Sequence, residues 1–544
     1  MIKKHGILYT IKYYHLTFYL IGTIFLLFFH EDIVQYIMNL FEIKVWDNIY
    51  SLISTIINGA IWGLWIYIFF TNTRNKMYFY RTGRRYGYDH GRYHRSYGAL
   101  VDYFRYDHAE PHRLDTSVFS VAKWQNAKGI VFGRDGKRLI AIPSDSECNI
   151  AVFGPPGSGK TAGIAIINAI TFAGSVLAVD IKGDLYNYVS THSNRKIKRF
   201  CPDSPNALKE SVRFDPLEHI NEMNATECKL YIESMATVLI PDTNSNDGNY
   251  FTSRARKMFQ GITHLMLNNN PDTSFPEIIH AILQGNIFDW VTQAMESDCE
   301  PAKELLSSFY GNSEKNVSSA YDALNTSLIN FSNSVLDQLL DRHSNNCVSI
   351  KDIEAGYDIY LQISQEHLDA YAPLFTLLIQ SFSTGFTRRA DSSTGVKNRP
   401  CLMLLDEFPQ LTFSYQLINA NLSTLRSKSV IIMIIQQNLS QLEYRFQPTG
   451  SRSILGNCNY QIILGSNDIN SSKLFSDTFG TKKILKVSNS VNLGQGKTSG
   501  KNCQELDEKV FPPEYFGDLS HNSKMILYFK GKYCECTKLN CYKD

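Results

Sequence analysis

The sequence predicts an α/β fold on a mostly parallel sheet, interrupted by an all-helical insertion and preceded by two transmembrane helices. Three observations predict it. Short apolar runs alternate with helical patterns from Gly129 onward. A polar, helix-patterned block without strand signals separates two groups of those runs. Residues 1–73 are far more apolar and aromatic than the rest. A chain of 544 residues exceeds one compact core, so several domains are expected. The net charge of +2 gives no global nucleic-acid signature, and any basic surface has to be local.

The elements follow in chain order, beginning with the anchor, residues 1–73. Residues 13–29 carry no formal charge except what His15 can take, and residues 49–70 hold no ionisable group other than tyrosine. About 20 apolar residues cross a bilayer, so both read as spans. Aromatic residues gather toward their ends, as at membrane interfaces. Lys3 and Lys4 would suit a signal peptide, but no small-residue cleavage site follows Phe29 and a second span comes soon after. Lys3, Lys4 and Lys12 precede the first span, and seven arginines and lysines lie between Arg74 and Arg95. The short connection is acidic, with Glu31, Asp32, Glu42 and Asp47 against Lys44. Positive charge stays inside, which puts both ends of the chain in the cytoplasm and a short loop outside. Residues 74–97 interleave arginine with tyrosine, a pattern that suits either anionic lipid or single-stranded nucleic acid.

The first part of the nucleotide-binding domain is expected over residues 74–218. Candidate strands there are 130–132, 139–142, 150–153 and 176–181. Their continuous apolar character marks strands buried on both faces. Residues 150–153 run into Gly154, Pro155, Pro156, Gly157, Ser158, Gly159, Lys160, Thr161 and Ala162, and a helical pattern follows. Glycines let backbone amides turn toward a polyphosphate, and a helix N-terminus adds its dipole. Lys160 is placed to reach the β- and γ-phosphates, and the Thr161 hydroxyl to hold Mg²⁺. The strand at 176–181 leads into Asp180, Lys182 and Asp184, which read equally as a charged turn or as phosphate-side groups.

Residues 219–345 form the expected helical insertion, and residues 346–544 the second part of the nucleotide-binding domain with a short C-terminal tail. Strands are expected at 359–363, 401–405, 430–435 and 461–464. The run Cys401–Phe408, CLMLLDEF, ends a buried strand in two carboxylates at the edge where open α/β sheets bind ligands. Asp406 is expected to hold Mg²⁺, and Glu407 to polarise the attacking water. Gln436-Gln437 ends the following strand and can sense a γ-phosphate. Eleven cysteines without a C-x-x-C pair argue against a disulfide framework. Cys534, Cys536 and Cys541 lack a fourth ligand at finger spacing.

These motifs together resemble the TraG/TraD-type coupling ATPases of bacterial type IV secretion and conjugation. The likeness is carried by the double-span anchor, GPPGSGKT, VDIKGDL, RFDPL at Arg213–Leu217 and NYFTSRARKMF at Asn249–Phe259. LLDEFPQL and LRSKSVIIMIIQQNLSQLEYRF follow, and the match runs to about Gly480. The resemblance implies a RecA-like homo-hexameric motor at the inner membrane. Such a motor recruits single-stranded DNA with its relaxase, or effector proteins, to components of the secretion channel. It implies ATP and Mg²⁺ at Lys160, Thr161 and Asp406, and Asp180, Lys182 and Asp184 as the second-strand motif. It implies Gln437 as sensor, and Arg426 as the arginine given to the neighbouring subunit's nucleotide. Arg426 is set in Leu-Arg-Ser-Lys-Ser rather than the family's usual glycine-type surroundings, so Arg445 stands as the reserve. Thr412 follows Leu411 where the family has glycine, and no long acidic tail follows the motor. The other function class is a docking receptor that binds ATP without pumping. A double-stranded DNA translocase is disfavoured, because no winged-helix-sized segment follows Gly480.

Overall fold

The computed structural model describes residues 124–543 except 137, 243–245, 312–313, 345–346 and 492–498, and before them helical residues within 23–37 together with 53–67. They fall into two compact units, Met1–Pro111 with Thr481–Val510, and His112–Gly480 with Phe511–Asp544. Among the described residues the first nine strands are β1 (Gly129–Asp135), β2 (Arg138–Pro143), β3 (Ile150–Phe153), β4 (Ser175–Ile181), β5 (Lys196–Phe200), β6 (Tyr357–Ile363), β7 (Cys401–Leu405), β8 (Val430–Gln436) and β9 (Tyr460–Ile463). The last four are β10 (Thr481–Val491), β11 (Ser499–Lys509), β12 (Lys524–Phe529) and β13 (Lys532–Thr537).

In the first unit, residues 53–67 form a helix of about 22 Å. Among the described residues no helix is long and apolar enough to cross a membrane. Residues 13–22 of the first expected span, both ends of the second, and the arginine–tyrosine segment 74–97 lie outside the described residues. The Trp65 indole N–H donates to the Thr23 hydroxyl at 3.0 Å. β10 and β11 pair antiparallel from Thr481↔Lys509 to Val491↔Ser499.

The second unit is built on one sheet of eleven strands in the order β2-β1-β13-β12-β9-β3-β8-β7-β4-β6-β5. From β9 to β5 every pairing is parallel. From β2 to β9 every pairing is antiparallel. β3, β4, β7 and β8 are buried along their whole length, as aliphatic runs without alternation require. Val152, Ala178, Leu404, Met433 and Ile435 pack on one face with the helix Ile166–Thr171 and with Leu185 and Val189 of the helix Asp184–His192. On the other face Phe153 meets Phe475 edge-on at 5.1 Å, and Phe200 meets Phe375 at 6.1 Å.

Residues past Gly480 are not a tail. β12 and β13 stand inside the sheet between β9 and β1, with Ile526↔Ile463 and Arg134↔Thr537 in register. KYCECT is only half apolar, and KMILYF is a short apolar run behind a lysine, so their place in the sheet shows only once β9 offers an edge to pair with.

From Ala225 to Leu339 every element among the described residues is helical. The RFDPL motif closes this block at its base. The Phe214 amide donates to the Leu339 carbonyl at 2.8 Å, and the Val348 amide to the Arg213 carbonyl at 2.7 Å. Asp215 accepts from the Leu217 amide at 2.9 Å and lies 3.5 Å from Arg342. The chain therefore leaves and re-enters the sheet through a single clasp.

Candidate functional site

Parallel register puts four carboxyl-end tips side by side, in the order β3, β8, β7, β4. Such a row is where an open α/β sheet holds its ligand. A cavity of about 340 Å³ opens there. Its walls include Pro156, Gly157, Gly159, Lys160, Thr161 and Ala162 after β3, Asp406 and Glu407 after β7, Gln437 after β8, and Lys182 and Asp184 after β4.

The loop after β3 depends on glycine. Gly157 and Gly159 have φ of 77° and 97°, and a Cβ on Gly154 would come within 2.3 Å of the Ser158 hydroxyl. The helix that follows opens with a π-type turn, Lys160–Ala165, before regular helix begins at Ile166. Such wide turns cluster at functional sites. Lys160 is buried, and its ammonium donates to the carbonyls of Gly154 at 2.7 Å and Pro155 at 3.3 Å. Burial pulls its pKa down, while the Glu407 and Asp406 carboxylates pull it back up and Lys182 opposes them. Gly154, Pro155 and Ser158 shape the loop from behind and do not line the cavity.

Across the cavity, Asp406 accepts from the Glu407 amide at 3.0 Å. Burial first, then the neighbouring Glu407, pushes its pKa up to about 7 against the pull of that amide and Lys160. Glu407 has φ of 47°, a left-handed backbone rare outside glycine. The Gln437 amide donates to Glu407 Oε1 at 3.0 Å, and Glu407 Oε2 is buried without a hydrogen-bond partner. Lys182 is likewise left-handed, with φ of 96°, and its amide donates to the Ile363 carbonyl at 3.2 Å.

The other sequence candidates are placed elsewhere. Asp180 is buried and turned to the helix Asp184–His192, accepting from the Tyr186 amide at 2.8 Å and the Leu185 amide at 3.4 Å. Burial raises its pKa to about 6, and those amides resist. It caps a helix and does not line the cavity. Arg426 lies in the turn Leu425–Lys428 before β8, at the opposite edge of the sheet from the loop after β3. Six strand steps separate those edges, about 20 Å. Its Nε is buried without a partner. Arg445 donates to the Phe413 carbonyl at 3.4 Å and is also outside the cavity. Sequence reasoning missed Asn540, which lines the cavity from beyond β13. No motif marks it, because it arrives through tertiary packing alone.

Mg²⁺ is the metal these donors suit. The Thr161 hydroxyl, the half-buried Asp406 carboxylate and the orphaned Glu407 oxygen are hard oxygen donors around one cavity. That ion takes one or two carboxylates plus substrate oxygens rather than a full protein cage.

The protein family described as Type IV secretory system Conjugative DNA transfer matches residues 108–544. The chain is 23% identical to Protein VirD4 of Agrobacterium fabrum (strain C58) over 436 residues, covering 78% of this chain and 63% of that protein. It spans 61–63% of the length of the three VirD4 proteins it matches. Among solved structures it is similar to the unbound bacterial conjugative coupling protein TrwB, with a TM-score of 0.59 at 17% identity over 76% of this chain and 88% of that one. It is also similar to the plasmid coupling protein TrwB in complex with ADP and Mg²⁺, with a TM-score of 0.56 at 16% identity over 74% and 87%. At such identities the likeness speaks for the fold, which is RecA-like.

Proposed function

Because this chain belongs to the family of type IV secretory system conjugative DNA transfer proteins, we propose that it is a coupling ATPase of the bacterial inner membrane. In this reading it is multi-pass with both termini in the cytoplasm and assembles as a homo-hexamer. It hydrolyses ATP to bring single-stranded DNA with its relaxase, or protein substrates, to the secretion channel. The observation that carries it is one carboxylate. Glu407 stands in the wall of the cavity of about 340 Å³, one oxygen held by Gln437 and the other buried without a partner.

The polyphosphate would rest on the amides of the loop after β3, with Lys160 exchanging the Gly154 and Pro155 carbonyls for phosphate oxygens. Thr161 and Asp406 would hold Mg²⁺, which when bound offsets charge developing on the phosphoryl oxygens. Glu407 orients the attacking water and takes its proton. Gln437, already bonded to Glu407, reports a γ-phosphate by changing that bond. Lys182 adds positive charge to the same cavity. Arg426, with Arg445 in reserve, is offered to the next subunit's nucleotide. The helical block between Ala225 and Leu339 forms a domain facing the cytoplasm.

Replacing Glu407 with Gln in the full chain tests this. ATP affinity should remain within a few-fold while hydrolysis falls by on the order of 10²–10⁴, the usual worth of a positioned base. Substrate transfer in cells should be lost with it. Transfer that persists without hydrolysis would sink the pump and leave a docking receptor. The cargo is read from the ATPase rate with and without single-stranded DNA, and the family's description favours stimulation by DNA.

A further inference from the structure

Residues 538–543 cross the first turn of the helix that follows the phosphate loop, and two hydrogen bonds hold them there. The Cys541 amide donates to the Ala162 carbonyl at 3.0 Å. The Tyr188 hydroxyl donates to the Cys541 carbonyl at 2.8 Å. Close approach requires Gly163, since a Cβ there would stand 2.6 Å from the Leu539 carbonyl oxygen. Leu539 and Cys541 are buried in the core, which fixes the strap from below.

Asn540, between those anchors, faces the other way, and Tyr542 lies just beyond them. Asn540 lines the cavity, and its Oδ1 accepts the Tyr542 amide at 2.9 Å. Tyr542 is 64% exposed. The ring stands edge-on to Tyr188 at 5.2 Å, and Tyr188 in turn stacks on His192 at 4.1 Å. Packing does not need an aromatic at a position so open.

Direction along the cavity decides what this surface meets. Lys160, Glu407 and Gln437 mark the γ-phosphate end, as lysine in such loops reaches the β- and γ-phosphates. The nucleoside must leave on the side away from Glu407. Ala162, the residue after Lys160-Thr161, is where the strap is pinned.

We infer that Asn540 and Tyr542 form the nucleoside wall of the site, the Tyr542 ring stacking on the base and the Asn540 side chain bonding to base or sugar. The inference rests on the ATP reading above and extends it from the phosphates to the nucleoside. An exposed ring two residues past the cavity-lining Asn540 suits a base face, which any purine or pyrimidine offers. The wall comes from a segment more than 350 residues away in sequence from the loop it completes.

The test compares ATP with inorganic tripolyphosphate, each with Mg²⁺, by calorimetry on the full chain in detergent. Wild type should bind ATP more tightly than tripolyphosphate. Tyr542→Ala and Asn540→Ala should each weaken ATP by at least about fivefold, the lower end for lost base stacking, and leave tripolyphosphate unchanged. Tyr542→Trp should keep ATP affinity, which guards against a folding defect. Unchanged ATP affinity in Tyr542→Ala overturns the inference, as does an equal loss for both ligands. A wild-type chain that binds neither ligand overturns the nucleotide reading beneath it.

Discussion

At the scale of single residues, the cavity was half legible in the sequence. The loop Gly154–Thr161 and the pair Asp406-Glu407 declare themselves because phosphate binding needs those types at fixed spacing, on strand ends that apolar runs reveal. The second-strand motif is subtler. Its three charged side chains divide, Lys182 and Asp184 to the cavity and Asp180 to a helix cap, and only backbone geometry separates them. A half-buried acid at the clasp below the helical block, Glu218, was not legible at all. Burial, and then the nearby Asp215 and Glu222 carboxylates, push the Glu218 pKa up to about 8 against Lys351. Burial also lowers that of His219, whose ring nitrogen donates to the Ser381 carbonyl at 3.0 Å. Both side chains are therefore neutral near pH 7. The folded state holds the Glu218 proton more tightly than the unfolded chain does. Its contribution to stability is full below about pH 4.5 and is lost as pH rises through about 8. Glu218→Gln should match wild type near pH 4.5 and gain on the order of a few kcal/mol by pH 8.5. Thermal unfolding midpoints across that range read the gain. Parallel curves for the two proteins would refute it.

At the scale of elements, continuous apolar runs marked the strands of the inner sheet, and each expected run overlaps an observed strand. β5, KIKRF, escaped notice because it is an edge strand whose charged residues interrupt the apolar run. What locks β5 and β6 to the first crossover is an ion pair that no motif announces. Arg195 bonds through Nε and Nη2 to the Asp358 carboxylate, the latter at 2.7 Å. It also donates to the carbonyls of Phe172 at 2.7 Å and Gly174 at 2.5 Å, just before β4. Asp358 is fully buried and accepts the Val176 amide at 2.9 Å. One acid thus gathers the start of β4, β6 and the turn before β5. Asp358→Ala should cost about 3–5 kcal/mol, because it leaves Arg195 charged in a partly buried site and the Val176 amide unpaired. Denaturant unfolding measures it, and a loss under about 1 kcal/mol would show the pair to be no more than a surface bridge. Nucleotide affinity should hold wherever the variant remains folded, since the pair lies at the amino edge of the sheet.

At the scale of the whole molecule, the single chain leaves its site open on one side. Lys160, Glu407 and Gln437 gather at the carboxyl edge, whereas Arg426 waits at the amino edge, about 20 Å away along β8. An arginine so placed cannot serve the nucleotide of its own chain without rebuilding the sheet. In a ring of identical subunits with head-to-tail contacts, one chain's amino edge can face the next chain's carboxyl edge. Two inactive variants can then repair each other. Lys160→Ala removes the phosphate cation but keeps Arg426, and Arg426→Ala does the reverse. Each alone should lose nearly all ATPase activity, with the arginine worth on the order of 10³ or more where it acts in trans. Assembled together at equal amounts, they place a whole Lys160 beside a whole Arg426 at about one interface in four by random head-to-tail mixing. Recovery to about a quarter of the wild-type rate is the expected result, read as phosphate release from the co-assembled full chains. Mixtures that stay as inactive as their parents would place the arginine's role elsewhere. Repeating the mixture with Arg445→Ala tells whether Arg445, near Phe413, supplies the charge instead. Rescue with one arginine variant and not the other identifies which side chain completes the neighbour's site.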